Sequence, residues 1–369
     1  MFKWLLVGGT FDESIGKPSG YIRKFSEQFK KINPNGVIVN GGSYNDLEAA
    51  YRTISDCAVV LWFASVDNTQ DKGMVRDLKK YHPKVLLVTS KNNLDKKYST
   101  QDLIARMLQN KSNLMIEFST CGEGNEFTGS LLDPLGNMYC STTSIYELTT
   151  KLICRLEKLL KYTRYKSVPT LVLPDGYVPQ KVDPIFSGII RQSADKFHEL
   201  IHGTNTTRFL GNCSFRCEQG FPSFRGNGIV YVSRRNVDKR SIGEDMFVPV
   251  SFSTGKDAVE YFGEHKPSVD TPIQLALYER YPEIKYMLHS HCYIERKQSL
   301  RDLLWTVEPI PCGAFEEFYE IINEYPNEIP AQSNGVCINL MGHGSIVMAK
   351  DLSIFKDIEY ISRPMPERL

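Results

Sequence analysis

PSVDTPIQLALYERYPEIKYMLHSHC, residues 267–292, runs from a proline-serine turn through an apolar helix into an alternating strand that ends on His289 and His291. The chain holds only seven histidines in 369 residues, so two of them one residue apart need a reason. Side chains alternate faces along a strand; His289 and His291 therefore point to one side, and Leu288 and Ser290 to the other. Two imidazoles a strand period apart can grip one cation, and a third ligand is then required. INLMGHGSIVMAKD offers one: His343 stands between Gly342 and Gly344, where glycine lets the backbone turn closely around a buried ring. Three neutral histidines with an open position make a catalytic Zn²⁺-type donor set rather than a closed structural one. Upstream, Thr271-Pro272 opens a helix that buries Ile273, Ala276 and Leu277. Asp270 falls at its entrance, where the helix dipole favours a carboxylate, and taken alone it reads as a helix cap.

The chain around this stretch is ordinary in bulk. Hydrophobic residues make up 41% and charged residues 24%, with a formal net charge of +1. No global field points to nucleic acid or to an anionic membrane. The opening MFKWLLVGG breaks at Gly8-Gly9 and reads as a buried first strand, not a signal peptide, and no stretch is long enough for a membrane span. The nine cysteines are odd in number, scattered, and nowhere spaced C-x-x-C. That pattern fits reduced thiols in a cytoplasmic protein better than a disulfide framework or a zinc ribbon.

A length of 369 residues suggests two domains. In residues 1–163, short β-rich runs (FKWLLVGG, GVIVNGG, CAVVLWF, KVLLVTS, NLMIEF) alternate with amphipathic segments. That alternation predicts a doubly wound α/β sheet, Rossmann-like or flavodoxin-like, closed by a helix that begins after the N-cap Ser144. Residues 164–185 carry Pro169, Pro174, Pro179 and Pro184 at intervals of five, which suits an extended connector. Residues 186–369 mix helices and strands as an α+β domain.

The loop GGTFDESIGKPSGY follows the first strand, where doubly wound sheets often meet a ligand. It is not a phosphate loop of the G-x4-G-K-[S/T] kind, because Phe11 and Pro18 occupy two of the required positions. The favoured reading is that Gly8, Gly9, Gly41 and Gly42 make tight strand-to-helix turns. The alternative is a nucleotide or sugar-phosphate pocket in which Asp12, Glu13 or Glu117 supplies acid/base chemistry.

PSVDTPIQLALYERYPEIKYMLHSHC, the earlier FLGNCSFR and the later MGHGSIVMAKDL together resemble the class II aldolase/adducin family, in the family's motif order, over roughly residues 186–369. PS-x-DTP followed by LY and H-x-H is most similar to the L-ribulose-5-phosphate 4-epimerase branch; fuculose-phosphate-type aldolases carry glutamate where this chain has Asp270. The resemblance implies that His289, His291 and His343 hold a divalent metal, zinc first, and that Asp270 joins the metal or handles a proton. It further implies that Asn212 and Ser268 help hold a substrate phosphate, that Tyr360 is a candidate proton donor unless it is a buried aromatic, and that the protein forms a homo-oligomer, a tetramer in the family's habit.

Departures from the family pattern bear on the substrate. Where the family has a phosphate turn with glycine, this chain has Ser233-Arg234-Arg235-Asn236, and Val269 replaces a serine. Arg234 or Arg235 offers a guanidinium fork instead, or the substrate lacks that phosphate. The Thr-His-Ala-Asp stretch carrying the epimerase's catalytic aspartate is missing. The expectation is a metal-dependent carbon–carbon lyase acting through an enediolate on a small sugar or sugar-phosphate-like substrate. The alternatives are an epimerase or dehydratase with the same metal site, or a non-catalytic adducin-like assembly module. EEFYEIINEYPNE, residues 316–328, reads as a solvated helix face.

Overall fold

The computed structural model describes residues 1–66, 72–93, 97–121, 126–170, 181–200, 209–217, 229–253, 255–296 and 303–361. The chain forms two compact units, one over Met1–Lys161 and one beginning at Tyr162.

In the first unit, chain order runs β1 (Trp4–Asp12), α1 (Gly20–Ile32), β2 (Gly36–Ser43), α2 (Tyr44–Arg52), β3 (Val59–Trp62), β4 (Ser65–Val66), α3 (Lys72–Tyr81), β5 (Leu86–Asn92), α4 (Thr100–Asn110), β6 (Leu114–Cys121), β7 (Glu126–Leu132), β8 (Met138–Thr142) and α5 (Ile145–Lys161). The sheet is ordered β2-β1-β3-β5-β6-β7-β8, with the short β4 beside the end of β1. Strands β1 to β6 run parallel, and β7 and β8 extend the sheet antiparallel. Trp4 to Val7 of β1 are buried on both faces, as a central parallel strand requires. α1 buries Ile22, Phe25 and Phe29 at helical spacing, and capping boxes built on Ser43/Asp46 and Ser99/Asp102 start α2 and α4. Because β1 is flanked by β2 and β3, the strand order reverses there, the flavodoxin-like form of the doubly wound fold.

The glycine loops of this unit are filled by the chain itself. Thr10 and Lys17 bond each other, Thr10 N to Lys17 O at 2.9 Å and Lys17 N to Thr10 Oγ1 at 2.7 Å, and Gly16 N reaches Gly42 O at 2.9 Å. Gly9 and Gly41 sit at φ near +76° and +75°, and a Cβ on either would fall 2.7 or 2.6 Å from the backbone of Lys17. The glycines are needed so that the 13–19 loop can lie against β1 and β2. Asp12 Oδ1 accepts from the backbone and hydroxyl of Ser14, at 2.9 and 3.1 Å, and Glu117 accepts from Asn93 at 2.5 Å.

The second unit continues with β9 (Lys166–Thr170), α6 (Pro184–Leu200), β10 (Asn212–Cys217), β11 (Ile229–Ser233), β12 (Phe247–Phe252), β13 (Ala258–Phe262), α7 (Thr271–Arg280), β14 (Tyr286–Ser290), β15 (Tyr293–Arg296), β16 (Leu304–Trp305), α8 (Glu316–Glu324), β17 (Gly335–Leu340), β18 (Gly344–Ala349) and β19 (Ile358–Ile361). Its main sheet has nine strands, ordered β16-β17-β18-β14-β10-β11-β12-β13-β9. Part of the stretch read as a connector is thus sheet: Lys166–Thr170 pairs in parallel with β13. Residues 171–180 lie outside the described residues.

A core covers each face of this sheet. Met287 packs with Ile273, Leu277 and Tyr281 around α7 and with Ile321 of α8. Leu288, its neighbour on β14, packs on the other face with Phe186, Phe355 and Tyr360. The period-two alternation then carries His289 to the Met287 side, where α7 lies. Among the described residues no helix is long and apolar enough to cross a membrane.

Candidate metal centre

β14 lies between β10 and β18, and that placement assembles the site. His289 sits opposite Asn212 of β10 on one side and Ile346 of β18 on the other. His291 follows one residue beyond the end of the strand, and His343 occupies the turn between β17 and β18. Gly344 permits the meeting: at φ +139° it lies so close that a Cβ there would sit 2.1 Å from Ser290 O.

All three histidines are buried, with exposures of 4%, 3% and 0%. One ring nitrogen from each lies within 4.8 Å of the others. His289 Nδ1 is 3.0 Å from Ser345 O, and His343 Nδ1 is 2.6 Å from Glu317 Oε1. The carbonyl of Ser345 takes the Nδ1 proton of His289, so its Nε2 carries the lone pair, while Glu317 holds the Nδ1 side of His343. His289 Nε2 is buried without a hydrogen-bond partner. An orphaned buried nitrogen costs about 1–3 kcal/mol, and a shared cation satisfies it. Burial, with the charge of His343 adding to it, lowers the pKa of His289 to about 4, so the ring is a neutral donor at pH 7. Burial opposes an imidazolium at His343 too, but the carboxylate of Glu317 and then Cys312 outweigh it and hold its pKa well above the ordinary value. Burial in turn pushes Glu317 up. One proton is held between His343 Nδ1 and Glu317. The donor set and the orphaned nitrogen fit a divalent cation.

Asp270 is buried at the start of α7, yet its side chain makes no capping bond to the helix. Oδ2 accepts from Asn212 Nδ2 at 2.7 Å and Oδ1 from Gly313 N at 2.6 Å. The cap reading is therefore replaced by one in which the carboxylate is held from two other elements. Its oxygens are not in the three-histidine cluster. Lys239 is buried as well; burial lowers its pKa, and Cys213 and Asp270 offset part of that shift.

The residues that the resemblance offers for a phosphate have the following surroundings. Asn212 is fully buried, with Nδ2 on Asp270 and Oδ1 accepting from Gln274, so in this structure it orients Asp270 instead of lining an open cradle. Ser268 is buried with Oγ 3.5 Å from Asp270 Oδ2. Arg235 donates to Pro267 O at 3.1 Å and to Ser167 Oγ at 3.3 Å, and Arg234 Nη1 lies 3.8 Å from Asp245. Tyr360 belongs to the core on the opposite face of the sheet, where burial raises its pKa; it is the buried aromatic of the two readings.

Two residues at the site were not singled out in the sequence. Glu317 lies in the acidic stretch read as solvated, but it is 4% exposed and shares the inward stripe of α8 with Ile321. Its four-residue spacing from Ile321 was the available signal. Cys312, in the turn before α8, places Sγ 3.4 Å from His343 Nε2 and 4.0 Å from His291 Nε2. Nothing in its local sequence marks it.

Among solved structures, the chain is similar to the DNA/pantothenate metabolism flavoprotein from Streptococcus pneumoniae, at 10% identity over 43% of this chain and 100% of that one, with a TM-score of 0.35. It is similar to YgbL from Escherichia coli, named for three alternative activities (aldolase, epimerase, decarboxylase), at 16% identity over 48% of this chain and 93% of that one, TM-score 0.30. The C-terminal domain of the coenzyme A biosynthesis bifunctional protein CoaBC is 14% identical over 43% of this chain and 98% of that one, TM-score 0.31. At these TM-scores the likenesses carry no weight for function. No curated protein matches the sequence significantly. Residues 192–354 match the model of the family described as Class II Aldolase and Adducin N-terminal domain, which includes all three histidines, Asp270, Cys312 and Glu317. Residues 192–354 thus carry a class II aldolase/adducin-type domain.

Proposed function

We propose that the second unit is a metal-dependent carbon–carbon lyase of the aldolase type, acting on a small, hydroxylated, sugar-like substrate. The observation that carries this reading is the buried trio His289, His291 and His343, with ring nitrogens within 4.8 Å and His289 Nε2 unpartnered. Zinc is the proposed cation, since imidazole suits it better than it suits magnesium or calcium. When bound, such a cation supplies Lewis-acid stabilisation of the negative charge that develops on substrate oxygens as the carbon–carbon bond breaks.

The chain's own groups prepare that chemistry. Ser345 O and Glu317 hold the Nδ1 protons of His289 and His343 and so fix which nitrogen of each ring faces the centre. Asn212 and Ser268 donate to Asp270 Oδ2 and Gly313 to Oδ1, which fixes the carboxylate while leaving a lone pair on Oδ1 for a proton. Asp270 is the proposed proton-handling residue. A homo-oligomer is the proposed assembly.

The test is to load the protein with zinc and follow cleavage of a panel of hydroxyketones and their phosphates by aldehyde release. The lyase reading expects turnover in the loaded wild type and none in Asp270→Ala or His289→Ala/His291→Ala. A loaded protein that rearranges or dehydrates these substrates without cleaving them would replace the lyase by an epimerase or dehydratase. Turnover of none of them by a fully loaded, folded protein would favour the assembly module.

A further inference from the structure

Cys312 stands in the turn Ile310-Pro311-Cys312-Gly313-Ala314, immediately before α8. Three contacts position this turn. Gly313 N donates to Asp270 Oδ1 at 2.6 Å, Arg164 Nη1 donates to Cys312 O at 3.0 Å, and Ala314 N donates to Pro311 O at 3.1 Å. The carboxylate beside the histidines thus grips the peptide next to the cysteine, and Sγ is held at 3.4 Å from His343 Nε2 and 4.0 Å from His291 Nε2. A tetrahedral ion with one thiolate at about 2.3 Å and imidazoles at about 2.0–2.1 Å separates sulfur from nitrogen by roughly 3.6 Å. The separations from His343 and His291 bracket that value, while Sγ, like the Asp270 oxygens, lies outside the set of atoms that are all within 4.8 Å of one another. Independently, His289 Nε2 is buried, unpartnered and directed into the same cluster, as expected if an ion at the centre is its missing partner.

We propose that the Cys312 thiolate is a fourth ligand of the cation, completing a three-nitrogen, one-sulfur set that closes the site until a substrate displaces the sulfur. This rests on the three-histidine cation site proposed above. Asp270, the acidic residue that the resemblance offered as a ligand, instead holds the turn that presents the sulfur. A thiolate in the set also turns preference toward zinc and cobalt and away from magnesium and calcium.

Cobalt(II) reports the difference, because a cobalt–thiolate bond gives a near-ultraviolet charge-transfer band that imidazole ligands do not. Metal-free full-length protein is titrated with Co²⁺ alone, beside Cys312→Ser. The proposal expects the band to grow to about one equivalent of cobalt, in line with a single site per chain. It expects Cys312→Ser to lose the band, to retain the visible bands of histidine-bound cobalt, and to bind the ion at least about tenfold more weakly. Visible bands without the charge-transfer band in the wild type, or a band that persists in Cys312→Ser, would overturn the cysteine ligand and leave the three-histidine site standing. No cobalt bound to folded wild type would overturn both. Should Cys312→Ser fail to fold, the unmutated protein still decides. Zinc is expected to slow iodoacetamide labelling of Cys312, read by peptide mass, at least about tenfold, the scale on which metal ligation is felt. Labelling at the same rate with and without zinc would refute the ligand.

Discussion

The glycine loops of the first unit and the histidine cluster of the second have similar signatures in sequence: polar residues at strand ends, bracketed by glycine. They differ in what occupies the space. At Gly9 and Gly41 it is already taken by the backbone of Lys17 and Pro18, with the peptide groups of the loop hydrogen-bonded to the strands beside it. In the second unit, Gly344 draws a turn against β14, and the result is three buried imidazoles with one nitrogen left over. A glycine reports that two backbones approach closely; it does not report what lies between them. A buried polar atom without a partner is more informative, since folding tolerates few of them.

Substitutions can break or sharpen this contrast. The largest effect is expected at Asp270→Ala, which strands the amide of Asn212 and the N–H of Gly313 in the interior. At about 1–3 kcal/mol per orphaned donor, stability should fall by roughly 2–6 kcal/mol in urea unfolding. A loss under about 0.5 kcal/mol, the size of an ordinary surface substitution, would mean that the carboxylate does not organise the site. Glu317→Gln keeps a hydrogen-bond acceptor for His343 Nδ1 but removes the charge. Zinc affinity should drop on the order of tenfold to a hundredfold, as for other residues that orient a ligating histidine. Unaltered affinity would place Glu317 outside the site's electrostatics.

In the first unit, Gly41→Ala forces a side chain into a left-handed position and against Lys17, and should destabilise by roughly 1–3 kcal/mol. Metal content should not change. If the variant were as stable as wild type, the self-filled loop would be wrong and the pocket reading would regain ground. The smallest effect is expected at Asp12→Asn, whose acceptor oxygen can still serve Ser14; a change within about 0.5 kcal/mol in the same unfolding assay is the expectation.

What could be read from the sequence follows the range of each interaction. The doubly wound sheet was legible because strand and helix periods are local, and α7 begins at Thr271 where the Thr-Pro signal put it. His289 and His291 were legible because two residues one apart at the end of a strand need no tertiary knowledge to be placed together, and the glycines around His343 marked a tight turn. The hydrogen bond between Asn212 and Asp270 was not, since 58 residues separate them and only the tertiary fold brings the start of α7 to β10. Glu317 was hidden by its neighbours: an acidic run suggests solvent, while the position of one member opposite a buried histidine depends on how α8 packs. Cys312 was hidden for the same reason, its role set by a turn that Asp270 anchors across 43 residues. Proline spacing also misled at Lys166–Thr170, because an extended connector and an edge strand share their backbone geometry, and only the partner β13 distinguishes them.

The central claim is that the second unit is built around a divalent cation. Elemental analysis of purified protein offered zinc, wild type beside His289→Ala/His291→Ala, tests it most directly. The account predicts about one cation per chain in the wild type and almost none in the variant, since losing two of three imidazoles leaves no chelate. Folded wild type that emerges free of metal, or a variant that retains as much as wild type, would contradict it.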